Sequence, residues 1–274
     1  PAAGPVILLA FGRQGVYNPI MIDTHCHLTD PRYDADAVIA RMHEDGLEAL
    51  VVVGFDTESS VACVRLAERH DDVYAAVGIQ PSEFTHEKDN SGLLSLLAHP
   101  KVVAYGEIGL DYHWPEPDRE TQRRGLCAQL ETAIAARLPV IIHSRDCDGD
   151  MLPLLKSYAP RLTAGLVMHC FSSSAEIARE YVKLGFYISF AGPVTYKNAK
   201  RGDAIRAVPD ELILAETDCP YLTPVPHRGE LNYPSYVRHT IAKLAEERGT
   251  SFERMEALTS ANARRLFTKM GGVK

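Results

Sequence analysis

Short apolar runs recur along the 274-residue chain, and each is followed by a polar or glycine-rich turn and then by a segment with helical periodicity. Continuous apolar runs are typical of parallel strands, because helices cover both faces of a parallel sheet and bury both sides of each strand. Eight of these runs are predicted to be strands, at residues 20–24, 49–54, 73–79, 102–108, 139–143, 166–170, 186–190 and 212–217.

The segments between and after these runs carry the helical pattern. Thr57 and Asp118 stand where N-caps are expected, since their oxygens can accept a hydrogen bond from the first helical turn. Eight strands, each followed by a helix, predict one α/β domain, a single (β/α)8 TIM barrel, and not an open doubly wound sheet. The predicted helices span residues 34–44, 58–69, 92–98, 119–137, 150–158, 175–184, 199–207, 234–247, 252–260 and 261–270.

The first twenty residues do not follow this alternation. Met21 falls inside the first predicted strand, so we treat residues 1–20 as an N-terminal extension and residues 21–270 as the barrel domain. A misassigned start and a strand that covers the bottom of the barrel are the alternatives. The apolar stretch 6–11 is too short for a secretory core, and no run approaches the roughly 18–20 residues of a membrane span. We therefore expect no signal peptide and no membrane association.

Composition narrows the class of protein. The chain is 46% hydrophobic and 24% charged with a formal net charge of −7, as in an ordinary globular enzyme. That balance argues against a broad basic surface that coats nucleic acid, although a local site in which metal ions hold an anion stays open. The six cysteines form no Cys-x-x-Cys pair, which predicts free thiols in a reducing, cytoplasmic compartment.

Histidines and acids stand at the ends of several predicted strands, where the chemistry of a TIM barrel is located. His25 and His27 are alternate residues, so their rings point to the same side. Glu216 and Asp218, at the end of the last predicted strand, are also two residues apart and are expected to share one strand face. Each signal is weak alone, because a single buried histidine is more often a hydrogen-bonded core residue, and Glu107 alone could form a buried salt bridge. Together they predict a site for two divalent cations, with the ligands His25, His27, Glu107, His143, His169 and Asp218.

We expect Glu107 to bridge the two cations. His25, His27 and Asp218 would complete one cation site, and His143 and His169 the other. Histidine-rich ligation suits zinc, while manganese or magnesium could also support turnover. Asp218 is the predicted proton acceptor, so Glu107 and Asp218 are the predicted catalytic residues.

A second set of residues is predicted from position alone. Asp23 and Glu216 lie one step below the ligands, where they would orient imidazoles or metal-bound water, or else form buried ion pairs. Arg145, Arg228 and His113 are candidates for substrate binding at the rim, where an arginine could grip a phosphate. The alternative for each of these three residues is an ordinary surface side chain.

Six motifs surround the predicted ligands, in this order: IDTHCH at 22–27, GEIGLDY at 106–112, IHSRD at 142–146, HCFS at 169–172, ETDCPYL at 216–222 and PHRG at 226–229. The ordered set resembles the TatD family of metal-dependent hydrolases, from about Met21 to Phe267. The resemblance implies a deoxyribonuclease, often a 3′→5′ exonuclease on single strands, with two divalent metals, and the ligands of the family fall on the same six residues. One departure concerns residues 78–82, which read GIQPS where many members have histidines around the proline.

The predicted reaction is hydrolysis of phosphodiesters in single-stranded DNA by a hydroxide that two metals activate. The nearest alternative is a hydrolase of the same fold that cleaves another ester or an amide, such as an aminoacyl-tRNA ester or a small molecule. Relatives of that kind often bridge their metals with a carboxylated lysine, where this chain has Glu107. A non-catalytic metal-binding module is the alternative from a different class. We favour a monomer, and the choice between DNA and RNA stays open.

Overall fold

A computed structural model describes residues 21–84 and 91–270. The eight strands within these ranges are parallel and form one sheet, in which spatial order follows chain order. The strands are β1 (Met21–Cys26), β2 (Leu47–Val53), β3 (Val73–Val77), β4 (Val102–Asp111), β5 (Val140–Arg145), β6 (Leu166–Met168), β7 (Tyr187–Phe190) and β8 (Ile213–Ala215).

The first and last strands meet, which closes the sheet into a barrel. The backbone of Cys26, at the end of β1, forms a parallel β-bridge with the backbone of Cys219, just beyond β8. The amide of His27 donates to the carbonyl of Cys219 at 2.8 Å, and the amide of Asp218 donates to the carbonyl of His25 at 2.9 Å. The predicted TIM barrel is confirmed.

α-Helices connect successive strands except β3 and β4, and two more follow β8. The described part of the β3–β4 connection contains a 3₁₀ turn over Ser91–Leu96, where the sequence predicted a helix at 92–98. The α-helices are α1 (Ala35–Ala40), α2 (Thr57–Arg69), α3 (Arg119–Ala136), α4 (Asp148–Tyr158), α5 (Ala175–Lys183), α6 (Gly202–Ala207), α7 (Val237–Arg248) and α8 (Phe252–Leu266).

Two details of the helix prediction are wrong. The segments 252–260 and 261–270 form one continuous helix, because α8 runs through Ser260 without a break. The N-cap of α2 is Asp56 and not Thr57, since the Asp56 side chain accepts from the amide of Ser59. The Asp118 cap of α3 is confirmed, with its side chain accepting from the amides of Glu120 and Thr121.

Two layers of apolar residues are buried, one inside the barrel and one between the barrel and its helices. Ile141, Val167 and Leu214 belong to the inner layer and lie two residues before His143, His169 and Glu216. The end of α8 contributes Ala263, Leu266 and Phe267 to this layer. The floor of the barrel is therefore apolar, while its carboxyl-end mouth carries the polar groups.

The predicted extension at residues 1–20 lies outside the described residues. Across 21–84 and 91–270, none of the helices has the length and apolar character that crossing a bilayer requires.

Candidate metal centre

Five strand ends bring the predicted ligands together at the mouth of the barrel. β4 and β5 approach each other closely at Gly109, which has no side chain. A Cβ added there would lie only 1.9 Å from the carbonyl oxygen of His143. Gly109 also adopts a φ of +159°, which side-chain-bearing residues rarely take. Gly109, two residues after Glu107, thus allows the approach of the two strands that places Glu107 beside His143.

The two carboxylate oxygens of Glu107 face different histidine pairs. Oε2 lies 3.4 Å from Nε2 of His25 and 3.8 Å from Nε2 of His27. Oε1 lies 2.8 Å from Nδ1 of His143 and 3.2 Å from Nε2 of His169. Glu107 therefore stands between two groups of nitrogen ligands, as a bridging carboxylate requires.

Asp218 joins the first group but reaches it through a turn and not through strand alternation. β8 ends at Ala215, and Asp218 has a left-handed φ of +56°, which aspartate tolerates better than most residues. Its Oδ1 lies 3.3 Å from Nε2 of His27 and 3.7 Å from Nε2 of His25. The expectation that Glu216 and Asp218 share one strand face is wrong for this reason.

The donor set fits divalent cations better than it fits internal hydrogen bonding. Nε2 of His25 and Nε2 of His27 are 3.2 Å apart, as are Nδ1 of His143 and Nε2 of His169. Two neutral imidazoles can share only one hydrogen, so the remaining lone pairs and carboxylate oxygens are free to bind a cation. The six predicted ligands form two groups, His25–His27–Asp218 and Glu107–His143–His169, each with its ligand atoms within 4.8 Å of one another. The same criterion also groups His25 with His169 and Glu216, and Asp23 with Cys26 and Cys219.

The electrostatics of the site favour ionised carboxylates. Burial would raise the pKa of Glu107, but the charge and hydrogen bonds of the facing histidines hold it well below its ordinary value. Burial likewise opposes ionisation of Asp218, yet its hydrogen bond with His27 keeps the pKa low. Burial lowers the pKa of His27, and Asp218 and Glu107 more than offset this, which raises it to about 9. The acids thus attract positive charge, which protons or a metal can supply.

Glu216 and Asp23 support the ligands in different ways. Oε1 of Glu216 lies 3.2 Å from Nδ1 of His169 and accepts from the amide of Cys170 at 2.7 Å, so it orients an imidazole. Asp23 makes its hydrogen bonds to the amides of His25 and Thr217 and to the Thr217 hydroxyl. Asp23 therefore ties the end of β1 to the end of β8.

The three predicted substrate contacts lie at the mouth, outside the ligand groups, two of them in loops. The third, Arg145, is the last residue of β5 and is exposed. His113 is partly exposed, and its Nδ1 lies 3.4 Å from Asp146 Oδ2. The guanidinium of Arg228, in the loop after β8, lies over the ring of Tyr196 at 4.2 Å.

Asp111 is a site residue that the sequence analysis did not assign. Its Oδ2 lies 3.0 Å from Nε2 of His143, opposite the His143 nitrogen that faces Glu107. β4 continues to Asp111, so Glu107, Gly109 and Asp111 alternate on one face. The two-residue spacing from Glu107 within the motif GEIGLDY could have identified Asp111 as a site residue.

Comparison with known proteins identifies relatives along nearly the whole chain. A family profile for TatD related DNases matches residues 22–268. The uncharacterized metal-dependent hydrolase YabD of Bacillus subtilis is 42% identical over 253 residues, covering 90% of this chain and 99% of the relative. A Citrobacter rodentium protein named as the 3′-5′ ssDNA/RNA exonuclease TatD is 32% identical over 259 residues, covering 90% of this chain and 97% of the relative.

A solved structure has the same fold. The crystal structure of YJJV, a TatD homologue from Escherichia coli K12, superposes with a TM-score of 0.86 at 33% sequence identity. The match covers 91% of this chain and 98% of that structure. The barrel and its connections are therefore those of a known structural family.

Proposed function

This chain belongs to the TatD related DNase family of metal-dependent hydrolases, and we propose that it removes nucleotides from the 3′ end of single-stranded DNA. The observation that carries the proposal is the position of Glu107, whose two oxygens face two separate histidine pairs. A second observation is the similarity to a protein named as an exonuclease on single-stranded DNA and RNA.

The proposed ligands are His25, His27 and Asp218 for one cation and His143 and His169 for the other, with Glu107 bridging. Cations bound there would polarise the phosphoryl group and lower the pKa of a nearby water molecule. Zinc, manganese and magnesium are the candidates, since the ligands combine imidazole with carboxylate.

Within this proposal, Asp218 accepts the proton of the attacking water. Its side chain is 15% exposed, against 5% for Glu107, so it is the carboxylate that an entering water reaches. Because His27 keeps Asp218 ionised, the carboxylate is ready to accept a proton at neutral pH. Glu216 holds the ring of His169, and Asp111 contacts the outer nitrogen of His143. Both fix a ring orientation before substrate arrives.

The test is a chelation and metal add-back assay on labelled single-stranded DNA. We expect chelated protein to be inactive and added Mn²⁺, Mg²⁺ or Zn²⁺ to restore stepwise shortening. A block at the 3′ end should stop degradation, whereas a block at the 5′ end should not. Asp218→Asn should be inactive, while Glu211→Gln, which changes an exposed acid outside the site, should retain activity.

The outcomes separate the candidate functions. No degradation with any metal would overturn the nuclease proposal. Metal-dependent turnover of an aminoacyl or small-molecule ester without DNA cleavage would favour the same-fold alternative.

A further inference from the structure

A group of cations that we call the basic rim lies in the loops after β7 and β8. It consists of Lys197, Lys200, Arg201 and Arg228. A depression of about 320 Å³ opens between these loops, and Tyr196, Lys197, Arg201 and Arg228 are among its lining residues. All of its lining side chains are neutral or basic.

The charge of the basic rim contrasts with that of the whole protein. The chain carries a net charge of −7, yet residues 181–202 and 219–229 contain no acidic residue. Of the acids that follow these segments, Asp203 binds Arg206 at 2.8 Å, and Glu230 contacts His227, the residue before Arg228, at 3.1 Å. The depression between the two loops is lined by Lys197, Arg201 and Arg228 and by no carboxylate, so the positive charge there can attract an anion. Lys200 and Arg201 also line a neighbouring depression that contains Glu176 and Asp203.

Hydrogen bonds between the loops hold the rim in shape. The hydroxyl of Tyr196 donates to the carbonyl of Thr223 at 3.0 Å, and the amide of Val225 donates to the hydroxyl of Thr195 at 2.9 Å. Gly192 allows this approach, because a Cβ there would lie 2.0 Å from the Leu222 oxygen. Arg228 is in turn supported by the Tyr196 ring. An anion would therefore meet charges that are already positioned.

The rim borders the candidate metal centre. One of its loops starts just after Asp218, and Arg201 donates to the carbonyl of Ser173, in the segment that follows His169.

We propose that the basic rim binds backbone phosphates of a single-stranded nucleic acid adjacent to the phosphate at the metal centre. This inference rests on the proposed function and names a contact surface for the same substrate. Lysine and arginine bind phosphates without reading bases, so the surface gives affinity and direction but no sequence preference. It also explains how an acidic protein can hold a polyanion.

The test compares two double variants that each remove two positive charges. Lys197→Gln/Lys200→Gln neutralises the two lysines of the rim, both of which are exposed. Lys156→Gln/Lys183→Gln is the matched control. Both control lysines pair with Glu180 at 2.6 Å on the outer helices. Binding is measured in Mn²⁺ with a fluorescent 12-nucleotide strand whose 3′ end is blocked, so that affinity is obtained without turnover.

We expect the rim variant to bind about 5–10-fold more weakly than the control, with a log Kd–log salt slope smaller by about 0.7 for each phosphate that the rim no longer neutralises. Its kcat/KM should fall more on an unblocked 12-nucleotide strand than on a small phosphodiester that cannot reach the rim. Equal affinities and slopes for the two double variants would overturn the inference.

The two proposals fail in different ways. If the wild-type protein degrades DNA and the rim variant binds like the control, only the rim is overturned. If the wild-type protein binds the blocked strand through the rim but degrades no DNA, the rim is supported and the nuclease proposal fails.

Discussion

Single side chains at the mouth of the barrel serve two purposes at once, and Glu107 is the plainest example. Its Oε1 and Oε2 contact different histidine pairs, and its side chain is only 5% exposed. A buried carboxylate without positive partners would be strongly unfavourable. The site therefore depends on the negative charge of Glu107 and on the positions of its two oxygens. A substitution that keeps the shape of the side chain but removes the charge tests the contribution of the charge.

We expect Glu107→Gln to lower the number of tightly bound cations and to reduce kcat by at least about 10²-fold, as for loss of a transition-state contact. Gln keeps the shape of Glu but offers no anionic oxygen to either group. Metal content by mass spectrometry and turnover should be measured on the same sample. Glu211→Gln is the control, and unchanged metal content in Glu107→Gln would show that the bridging assignment is wrong.

Glu216 acts through His169, so its removal should affect metal affinity first. We expect Glu216→Ala to weaken cation binding about 10–100-fold, the usual scale for a residue that orients a ligand. Glu216→Gln keeps an acceptor for the amide of Cys170 and should recover part of that loss. A cation titration decides the point. If Ala and Gln both bind cations as the wild type does, Glu216 does not position His169.

At the scale of elements, α8 closes the floor of the barrel and attaches to the start of β8. Nδ2 of the fully buried Asn262 donates to the carbonyls of Asp210 and Ile213 at 2.7 and 2.8 Å. Asn262 lies within α8. Its hydrogen bonds connect the last helix to the strand that leads to Asp218.

Removing this connection should lower stability without affecting the metal site. We expect Asn262→Ala to reduce the free energy of unfolding by about 1–3 kcal/mol, because buried carbonyls lose their donor. Urea unfolding measures the loss, and Glu253→Gln on exposed α8 surface should stay within about 0.5 kcal/mol of wild type. Metal content should be unchanged in both variants, and an Asn262→Ala stability equal to that of the control would contradict the prediction.

For the whole molecule, the proposed cations would join strands that are far apart in the sequence. The ligands come from β1, β4, β5, β6 and the loop after β8, so they assemble only in the folded barrel. A ligand that binds only the folded state stabilises it, by about 2.7 kcal/mol at a concentration 100 times its Kd.

Chelation should therefore lower Tm. For a domain of this size, each kcal/mol corresponds to roughly 2–4 °C, so we expect a decrease of about 5–10 °C that added Mn²⁺ or Zn²⁺ reverses. Differential scanning calorimetry with and without chelator measures it. The Glu107→Gln variant should show a smaller decrease, and identical melting of chelated and metal-loaded wild-type protein would contradict a folded-state metal site.

The sequence alone was enough to predict the barrel, and it named six side chains that the structure brings together. Both follow from local rules: apolar runs and helical periodicity count the strands, and a parallel barrel presents all its strand ends at one mouth. The positions where strands end and helices break were harder to predict from the sequence, because they depend on packing between elements. The Glu216–Asp218 alternation was wrong since β8 stops at Ala215, and the break before residue 261 was wrong since α8 continues across the barrel floor.

Only the tertiary structure decided which residues of the site contact one another. It showed that the oxygens of Glu107 divide between two histidine pairs, that Asp111 contacts His143, and that Asp23 ties β1 to β8. It also joined two loops into the basic rim, although Lys197 and Arg228 are 31 positions apart. Spacing along a chain specifies which strand face a residue shares, whereas contact between these two loops depends on the pairing of β7 with β8 and on Gly192, where the two backbones approach.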